Sequence, residues 1–192
     1  MLKNSALKTI KHWLSRESEV SIVDNGDFAR MYDQNYMGVF RYVYGLSDGA
    51  QQDAEDIAAE TFMRAWTTRH RFSGTDQAAL GWLLHIARNL VIDASRRKKV
   101  RAVDDNMEIE TMLDANALPE ADLISREQTA NLWKLLENLS DETREIIVLR
   151  YILGWQVKQI AIHLDMTENN VSVNIRRTLS RLKNNWNQLQ GE

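Results

Sequence analysis

Apolar residues recur at helical spacing along most of the chain. In the last part of the sequence they follow one another at steps of four, four, three and four, as Val171, Ile175, Leu179, Leu182 and Trp186. This spacing places them along one stripe of an α-helix. No segment shows a convincing alternation of apolar and polar residues, which is the pattern of a half-buried strand. The sequence therefore predicts an all-α fold.

The stretch DAEDIAAETFMRAW, residues 53–66, separates into an apolar and a charged face. The apolar face is formed by Ala54, Ala58, Phe62 and Ala65, and the charged face by Asp53, Asp56, Glu60 and Arg64. Acidic residues in the first turn interact favourably with the helix dipole, and Asp53 is expected to cap this helix. Glu60 lies beyond the first turn, so capping does not account for it.

The C-terminal part predicts a helix-turn-helix. Ser140 is expected to cap a helix that Gly154 ends, and a short helix follows over about 157–164. After a tight connection at Asp165-Met166, Thr167 is expected to cap the last helix. In a helix-turn-helix this second helix lies in the major groove of DNA.

The outer face of the last helix is polar and basic, with Asn169, Val173, Arg176, Arg177, Ser180 and Lys183. Arginine can donate to guanine edges or phosphates, and Asn169 and Asn170 can pair with adenine or with the backbone. An exposed helix face is also normally polar, so the pattern alone leaves solubility and DNA binding open.

Charge along the chain marks a linker. The segment 88–101 is strongly basic, whereas 102–124 contains seven acidic residues, no Lys or Arg, and the only proline, Pro119. We predict two small helical domains, 27–100 and 125–192, joined by an acidic linker over 101–124. Residues 1–26 form an N-terminal extension of unknown role.

Overall composition excludes several classes of protein. The net charge of −3 argues against coating nucleic acid by bulk charge, although a local basic patch is compatible with it. The absence of Cys excludes disulfides and thiolate metal sites. No apolar run is long enough for membrane insertion. The four His are scattered and no Gly-rich phosphate loop is present, so we expect a cytoplasmic protein without catalytic residues, metal or cofactor.

A short loop, Ser73-Gly74-Thr75-Asp76, lies between Phe72 and a helix that carries Trp82 and a basic end. Aromatic rings next to cations suit single-stranded nucleic acid, because bases stack on rings while cations hold the backbone. A Trp in an apolar helical stripe is more often part of the core, so this alternative stays open for Trp82.

In combination these motifs resemble the extracytoplasmic-function (ECF) class of bacterial RNA polymerase sigma factors. The resemblance rests on the ordered set DAEDIAAETFMRAW, GWLLHIARNLVIDASRRKK and LENLSDETREIIVLRYILGWQVKQIAIHLDMTENNVSVNIRRTLSRLK. It covers about residues 27–100 and 125–186. The chain departs from the usual family pattern at Ala59, His85, Gln156, Leu179 and Ser180.

The resemblance implies a role for each domain. The first domain would be region 2, which docks on the clamp coiled coil of core RNA polymerase and melts and recognises the −10 element. The second would be region 4, which recognises the −35 element and contacts the polymerase flap. Core RNA polymerase and promoter DNA, both double- and single-stranded, are the implied partners, and an anti-sigma factor is a further candidate.

The implied site residues fall into three groups. For polymerase binding they are Asp53, Asp56 and Glu60. For the −10 element they are Phe72, Ser73, Gly74, Thr75, Asp76, Trp82, Arg88, Asn89, Arg96 and Arg97. For the −35 element they are Thr167, Glu168, Asn169, Asn170, Ser172, Val173, Arg176 and Arg177.

The alternative is a stand-alone helix-turn-helix regulator with an N-terminal sensor or oligomerisation domain. It predicts a dimer on a palindromic duplex and leaves the segment 69–99 without a purpose. An enzyme is a more distant third possibility.

Overall fold

The computed structural model describes residues 20–21, 25–47, 49–105 and 126–190. Seven α-helices lie in these ranges: α1 Asn25–Leu46, α2 Gln51–Thr68, α3 Asp76–Asp105, α4 Arg126–Glu137, α5 Asp141–Ile147, α6 Val157–Leu164 and α7 Glu168–Gln190. A 3₁₀ turn, Arg69–Arg71, follows α2, and a π-helical segment, Val148–Ile152, continues α5. The prediction of an all-α fold is confirmed.

The N-terminal three-helix unit consists of α1, α2 and α3, which pack against one another. The predicted apolar face of α2 is buried, and Thr61 joins Ala54, Ala58, Phe62 and Ala65 on it. The expectation that Asp53 caps this helix is wrong. The helix begins at Gln51, with Ala50 at the N-cap. Asp53 therefore lies inside the first turn, where its negative charge interacts favourably with the helix dipole.

A two-residue antiparallel bridge adds the only strand pairing in the described residues. Strand β1, Val20–Ser21, pairs with β2, Ser73–Gly74, in the register Val20 with Gly74 and Ser21 with Ser73. A bridge of this length leaves the architecture helical, but it places part of the N-terminal extension next to the loop that precedes α3.

The C-terminal unit contains α4 to α7, and its helix boundaries follow local capping. The Ser140 side chain accepts a hydrogen bond from the Thr143 N–H at 3.4 Å, as predicted. Gly154, with φ +70°, lies in the left-handed region between the π-helical segment and α6, as expected of a residue that ends a helix. At the N-cap of α6, the Gln156 backbone N–H donates to the side-chain Oε1 of Gln159 at 2.8 Å, so the residue three positions into the cap satisfies this end of the helix.

The turn between α6 and α7 has the geometry of a helix-turn-helix. Asp165 adopts the left-handed conformation, φ 55°, which reverses the chain within three residues. The Thr167 hydroxyl accepts a hydrogen bond from the Asn170 N–H at 3.2 Å and caps α7, as predicted.

One part of the predicted apolar stripe of α7 is wrong. Val171 and Ile175 are buried, but Leu179 is 41% exposed and Thr178 is buried in its place. The Thr178 hydroxyl bonds to Asn174 Oδ1 at 3.2 Å, so its polar group is satisfied within the helix. The prediction therefore fails at this one position, and Leu182 packs against the core one turn further on, as predicted.

Helix α3 extends further than the sequence indicated. It continues to Asp105, through the first residues of the segment expected to be the linker, whereas residues 106–125 lie outside the described part of the chain. None of the helices in the described ranges has the length and apolarity needed to cross a bilayer.

The two units share one hydrophobic core. Helix α1 packs on both α5 and the π-helical segment. The rings of Tyr44 and Trp133 meet edge to face with centroids 5.1 Å apart, which joins α1 to α4. Buried apolar residues of both units thus form a continuous cluster.

Candidate nucleic-acid interface

The predicted −35 residues lie together at the N-terminal part of α7. Seven of the eight are exposed, and Val173 is half-buried; the exposed ones are Thr167, Glu168, Asn169, Asn170, Ser172, Arg176 and Arg177. The opposite side of the helix is anchored by Val171, which is fully buried. The helix therefore presents a polar, partly basic surface that is held rigidly by its own core contacts, as a groove-binding helix requires.

The loop before α3 is supported by buried side chains. Phe72 is buried against Trp82, with ring centroids 5.0 Å apart. Thr75 is buried, and its hydroxyl accepts a hydrogen bond from the Ala78 N–H at 3.3 Å, which caps the start of α3. A side chain at Gly74 would come within 3.0 Å of the Ala78 Cβ. Ser73 is exposed, so its hydroxyl is accessible at this loop.

The polar residues along α3 differ in their surroundings. Asn89, Arg96 and Arg97 are exposed, and the Arg97 side chain bonds back to the Asp93 carbonyl at 3.3 Å. Trp82 is half-buried, which leaves part of its ring accessible. Arg88 is half-buried because it pairs with a residue of the other unit, as described below.

The acidic face of α2 is accessible. Asp53 and Asp56 are exposed, and Glu60 is partly exposed and accepts from Arg64 Nε at 2.7 Å. On the apolar side of α2, aromatic rings of α1 and α2 form a cluster that includes Phe28, Phe62 and Trp66. These rings pack α2 against α1, while the acidic side of α2 faces solvent.

A buried polar network links the two units. Glu145 of α5 is 3% exposed and accepts hydrogen bonds from Tyr42 Oη at 2.6 Å and Arg88 Nε at 2.8 Å. Burial, followed by the charge of Glu145, raises the pKa of Tyr42 well above its usual value, so Tyr42 stays a donor. The hydrogen bond to Glu145 raises the pKa of Arg88.

A histidine pair lies beside this network. The rings of His85, on α3, and His163, on α6, stack with centroids 4.2 Å apart, and Trp155 meets His163 edge to face at 5.1 Å. Burial, aided by the charges of His85 and Arg88, lowers the pKa of His163 to about 3. His163 is therefore neutral at physiological pH and packs as an aromatic group.

The sequence analysis did not identify the contact between the two units, to which Tyr42, Glu145 and His163 belong. A signal for Glu145 was present, because it lies four residues before Leu149 and next to Ile146, within the most apolar run of the second unit. A carboxylate at such a position is expected to have a buried partner. Nothing in the sequence identifies that partner as Arg88.

No group of three or more His, Asp or Glu side chains suited to a metal ion occurs in the ranges that the structure describes.

Comparison with known families assigns both units to a class. Residues 31–101 match the family described as Sigma-70 region 2, and residues 129–182 match Sigma-70, region 4. These two domains define the sigma-70 class of proteins.

Individual relatives narrow the class to one family. The chain is 30% identical over 175 residues to the ECF RNA polymerase sigma factor SigL of Mycobacterium tuberculosis, covering 88% of this chain and 94% of SigL. It is 32% identical over 163 residues to the ECF RNA polymerase sigma factor BldN of Streptomyces coelicolor, covering 81% of this chain and 60% of BldN. The chain belongs to the ECF family of RNA polymerase sigma factors.

Solved structures agree on the fold. The sigma factor RpoE, in complex with the anti-sigma factor NepR from Bartonella quintana, superposes with a TM-score of 0.68 at 23% identity, over 83% of this chain and 96% of RpoE. CnrH, in complex with the cytosolic domain of CnrY, gives a TM-score of 0.59 at 20% identity, over 93% of this chain and 96% of CnrH.

Family membership gives the general function. The chain acts with core RNA polymerase in promoter-specific initiation of transcription. The alternative, a stand-alone regulator with a sensor domain, is not favoured, because the N-terminal half matches a sigma domain rather than a sensor.

Proposed function

We propose that this sigma factor divides promoter recognition between its two domains, bounded as 27–100 and 125–192. The exposed face of α7 binds the −35 element as a duplex. The loop 72–76 and the exposed part of α3 capture the −10 element as a single strand. The observation that carries the proposal is the N-terminal part of α7, where a capped helix presents its polar face while Val171 and Ile175 anchor the other side.

Within the −10 surface the described contacts suggest two kinds of role. Ser73 is the exposed polar side chain of the loop that would meet a base edge. Phe72 and Thr75 are buried and would hold the loop in place, Phe72 by packing on Trp82 and Thr75 by capping α3. Asn89, Arg96 and Arg97 would lie along the phosphates of the captured strand.

Polymerase supplies the remaining functions. The chain itself carries out no chemistry, and it acts in the cytoplasm, where core polymerase binds it through the clamp coiled coil and the flap. One solved neighbour is the sigma factor RpoE in complex with the anti-sigma factor NepR. An anti-sigma factor is accordingly a proposed partner of this chain as well.

Run-off transcription on genomic fragments tests the whole proposal. Core polymerase should initiate at new, discrete start sites only when this protein is added. Start sites that are identical with and without the protein would show that it does not direct initiation.

The acidic face of α2 gives a test of polymerase docking. Glu60→Lys should weaken binding to core polymerase, because it reverses a charge on the proposed docking surface. The free energy of unfolding should change by no more than about 0.5 kcal/mol, since Glu60 is partly exposed and its pairing with Arg64 is local.

Titration of labelled protein with core polymerase, paired with thermal unfolding, separates the two effects. Arg64→Ala is the matched control, because it breaks the same ion pair without reversing the acidic charge. Parent-like binding by Glu60→Lys would remove α2 from the docking surface.

The loop before α3 gives a test of −10 recognition. Replacing Ser73 and Asp76 by alanine should remove discrimination among non-template oligonucleotides by holoenzyme, which is typically about 1–3 kcal/mol per base. Duplex binding through α7 should be retained. Gly74 and Thr75 are left intact in this variant, because they support the loop.

Oligonucleotides that differ at one base of the −10 sequence are compared by competition. Thr75→Ser, which keeps the capping hydroxyl, serves as the control and should discriminate like the parent. If the double variant opens promoters with the parent's sequence preference, the loop is only a connector.

A further inference from the structure

We propose that strand β1, Val20–Ser21, is a positioning element for −10 recognition, which fixes the loop before α3 in the conformation that presents Ser73 to the captured DNA. The match to Sigma-70 region 2 covers residues 31–101 and does not include β1. The inference rests on the proposed function, which assigns single-strand recognition to the loop 72–76. It gives the end of the N-terminal extension a role in base discrimination.

The two ends of this loop are held by the N-terminal unit itself. The Phe72 N–H donates to the Arg69 carbonyl at 3.0 Å, and the Phe72 ring packs on Trp82. At the other end, the hydroxyl of the buried Thr75 accepts a hydrogen bond from the Ala78 N–H at 3.3 Å. The loop is therefore anchored on both sides, and β2 is the segment between the anchors.

Strand β1 supplies the backbone partner of β2. Ser73 and Gly74 pair antiparallel with Ser21 and Val20. Opposed pairs in an antiparallel ladder alternate between hydrogen-bonded and non-hydrogen-bonded, so one of these two pairs exchanges both N–H···O bonds. A Cβ at Gly74 would lie 3.0 Å from the Ala78 Cβ, so the close approach to α3 favours glycine, the residue with the greatest backbone freedom. Pairing with β1 restricts that freedom.

The pairing leaves the side chain that would meet a base accessible. Ser73 is exposed although its backbone pairs with β1. Side chains of a strand project above and below the sheet, whereas the backbone hydrogen bonds lie within it. A segment that masked the loop would instead bury Ser73. Strand β1 therefore supports the loop from its backbone edge.

The position of β1 along the chain favours the pairing. Residues 22–24 are all that separate Ser21 from α1, which packs against α2 and α3. A short tether to the same helical unit keeps the effective concentration of β1 near the loop high. A two-residue pairing would be too weak between separate molecules, and the tether makes it sufficient here.

Two N-terminal truncations test the proposal. Removal of residues 1–21 deletes β1, whereas removal of residues 1–17 retains it and is the matched control. Holoenzyme is compared on non-template oligonucleotides that differ at one base of the −10 sequence, where discrimination is typically about 5- to 150-fold. The longer truncation should lower this discrimination by about fivefold, and the control should discriminate like the parent. Binding to a −35 duplex and to core polymerase should be unchanged in both.

Two double variants of the full chain test the backbone pairing directly. Val20→Pro with Ser21→Pro removes both N–H donors of β1 while keeping the segment extended, so it should lower discrimination as the longer truncation does. Val20→Ala with Ser21→Ala keeps both donors and should discriminate like the parent. Equal losses in the two double variants would overturn the role of backbone pairing.

Hydrogen exchange of the free protein gives a readout that does not involve DNA. The amide protons of residues 73–74 should exchange faster in the longer truncation and in the double proline variant than in the parent, because the pairing protects them. The shorter truncation should exchange like the parent. Identical exchange in all four proteins would show that β1 does not hold the loop.

The outcomes separate this inference from the proposed function. If replacing Ser73 and Asp76 by alanine abolishes discrimination but the longer truncation retains it, β1 is not a positioning element and the loop still recognises the −10 element. Tighter −10 binding after the longer truncation would also overturn the inference, because β1 would then mask the loop. If neither change affects discrimination, the proposed function of the loop is itself contradicted.

Discussion

Replacing Arg176 and Arg177 together by alanine is expected to weaken binding of the holoenzyme to a −35 duplex by about 2–6 kcal/mol. Each arginine that contacts a base or a phosphate contributes about 1–3 kcal/mol, and the loss of both contacts gives this range. Both side chains are exposed on α7 and lie more than two helical turns after the cap residue Thr167. Their loss should therefore leave the fold of the helix intact.

The two single variants distinguish the kinds of contact. An arginine that contacts a base edge changes which sequences are preferred, whereas one that contacts a phosphate weakens all sequences alike and flattens the salt dependence. Equilibrium binding over a range of salt concentrations measures both. Lys134→Ala, which removes an exposed cation from α4 of the same domain, should bind like the parent. If the double arginine variant binds as tightly as this control, the basic face of α7 serves solubility rather than DNA recognition.

Leu149→Ala is expected to lower the free energy of unfolding by about 2–5 kcal/mol. Leu149 is fully buried in the core that both domains share, so truncation leaves a cavity in addition to losing apolar burial. Leu179→Ala is the matched control, and it should change stability by no more than about 0.5 kcal/mol, because Leu179 is exposed on α7.

Denaturant unfolding of the two variants measures this difference directly. The comparison also tests the one position at which the predicted stripe of α7 fails. The helical spacing of the sequence places Leu179 in the core, whereas the structure places Thr178 there. A large loss of stability in Leu179→Ala would restore the assignment made from spacing.

Local signals explain why much of the fold was predictable. Capping by Ser140 and Thr167 depends on hydrogen bonds within four residues, and the short helix predicted over about 157–164 is observed at Val157–Leu164. The burial of Thr178 in place of Leu179 was not predictable by spacing alone. Its hydroxyl is satisfied locally by Asn174, which lets a polar residue enter the core.

The candidate site divides in the same way. The exposed face of α7 could be predicted from helical periodicity. The spacing of apolar residues identifies the buried side of the helix, and the remaining residues lie on the exposed side. The partner of Arg88 could not be derived, since it lies 57 residues away and no local rule connects the two positions. The burial of Phe72 and Thr75 likewise depends on how the loop returns onto α3, which is a property of tertiary packing.

The shared core has a consequence for how the protein melts. Because Tyr44 packs on Trp133 and Val148 approaches Gly45, unfolding either domain removes apolar contacts from the other. Two domains of this size with separate cores would give two independent heat-absorption peaks. We therefore expect the chain to unfold as one cooperative unit, so calorimetry of the free protein should show a single peak, and two peaks would show that the two units unfold separately.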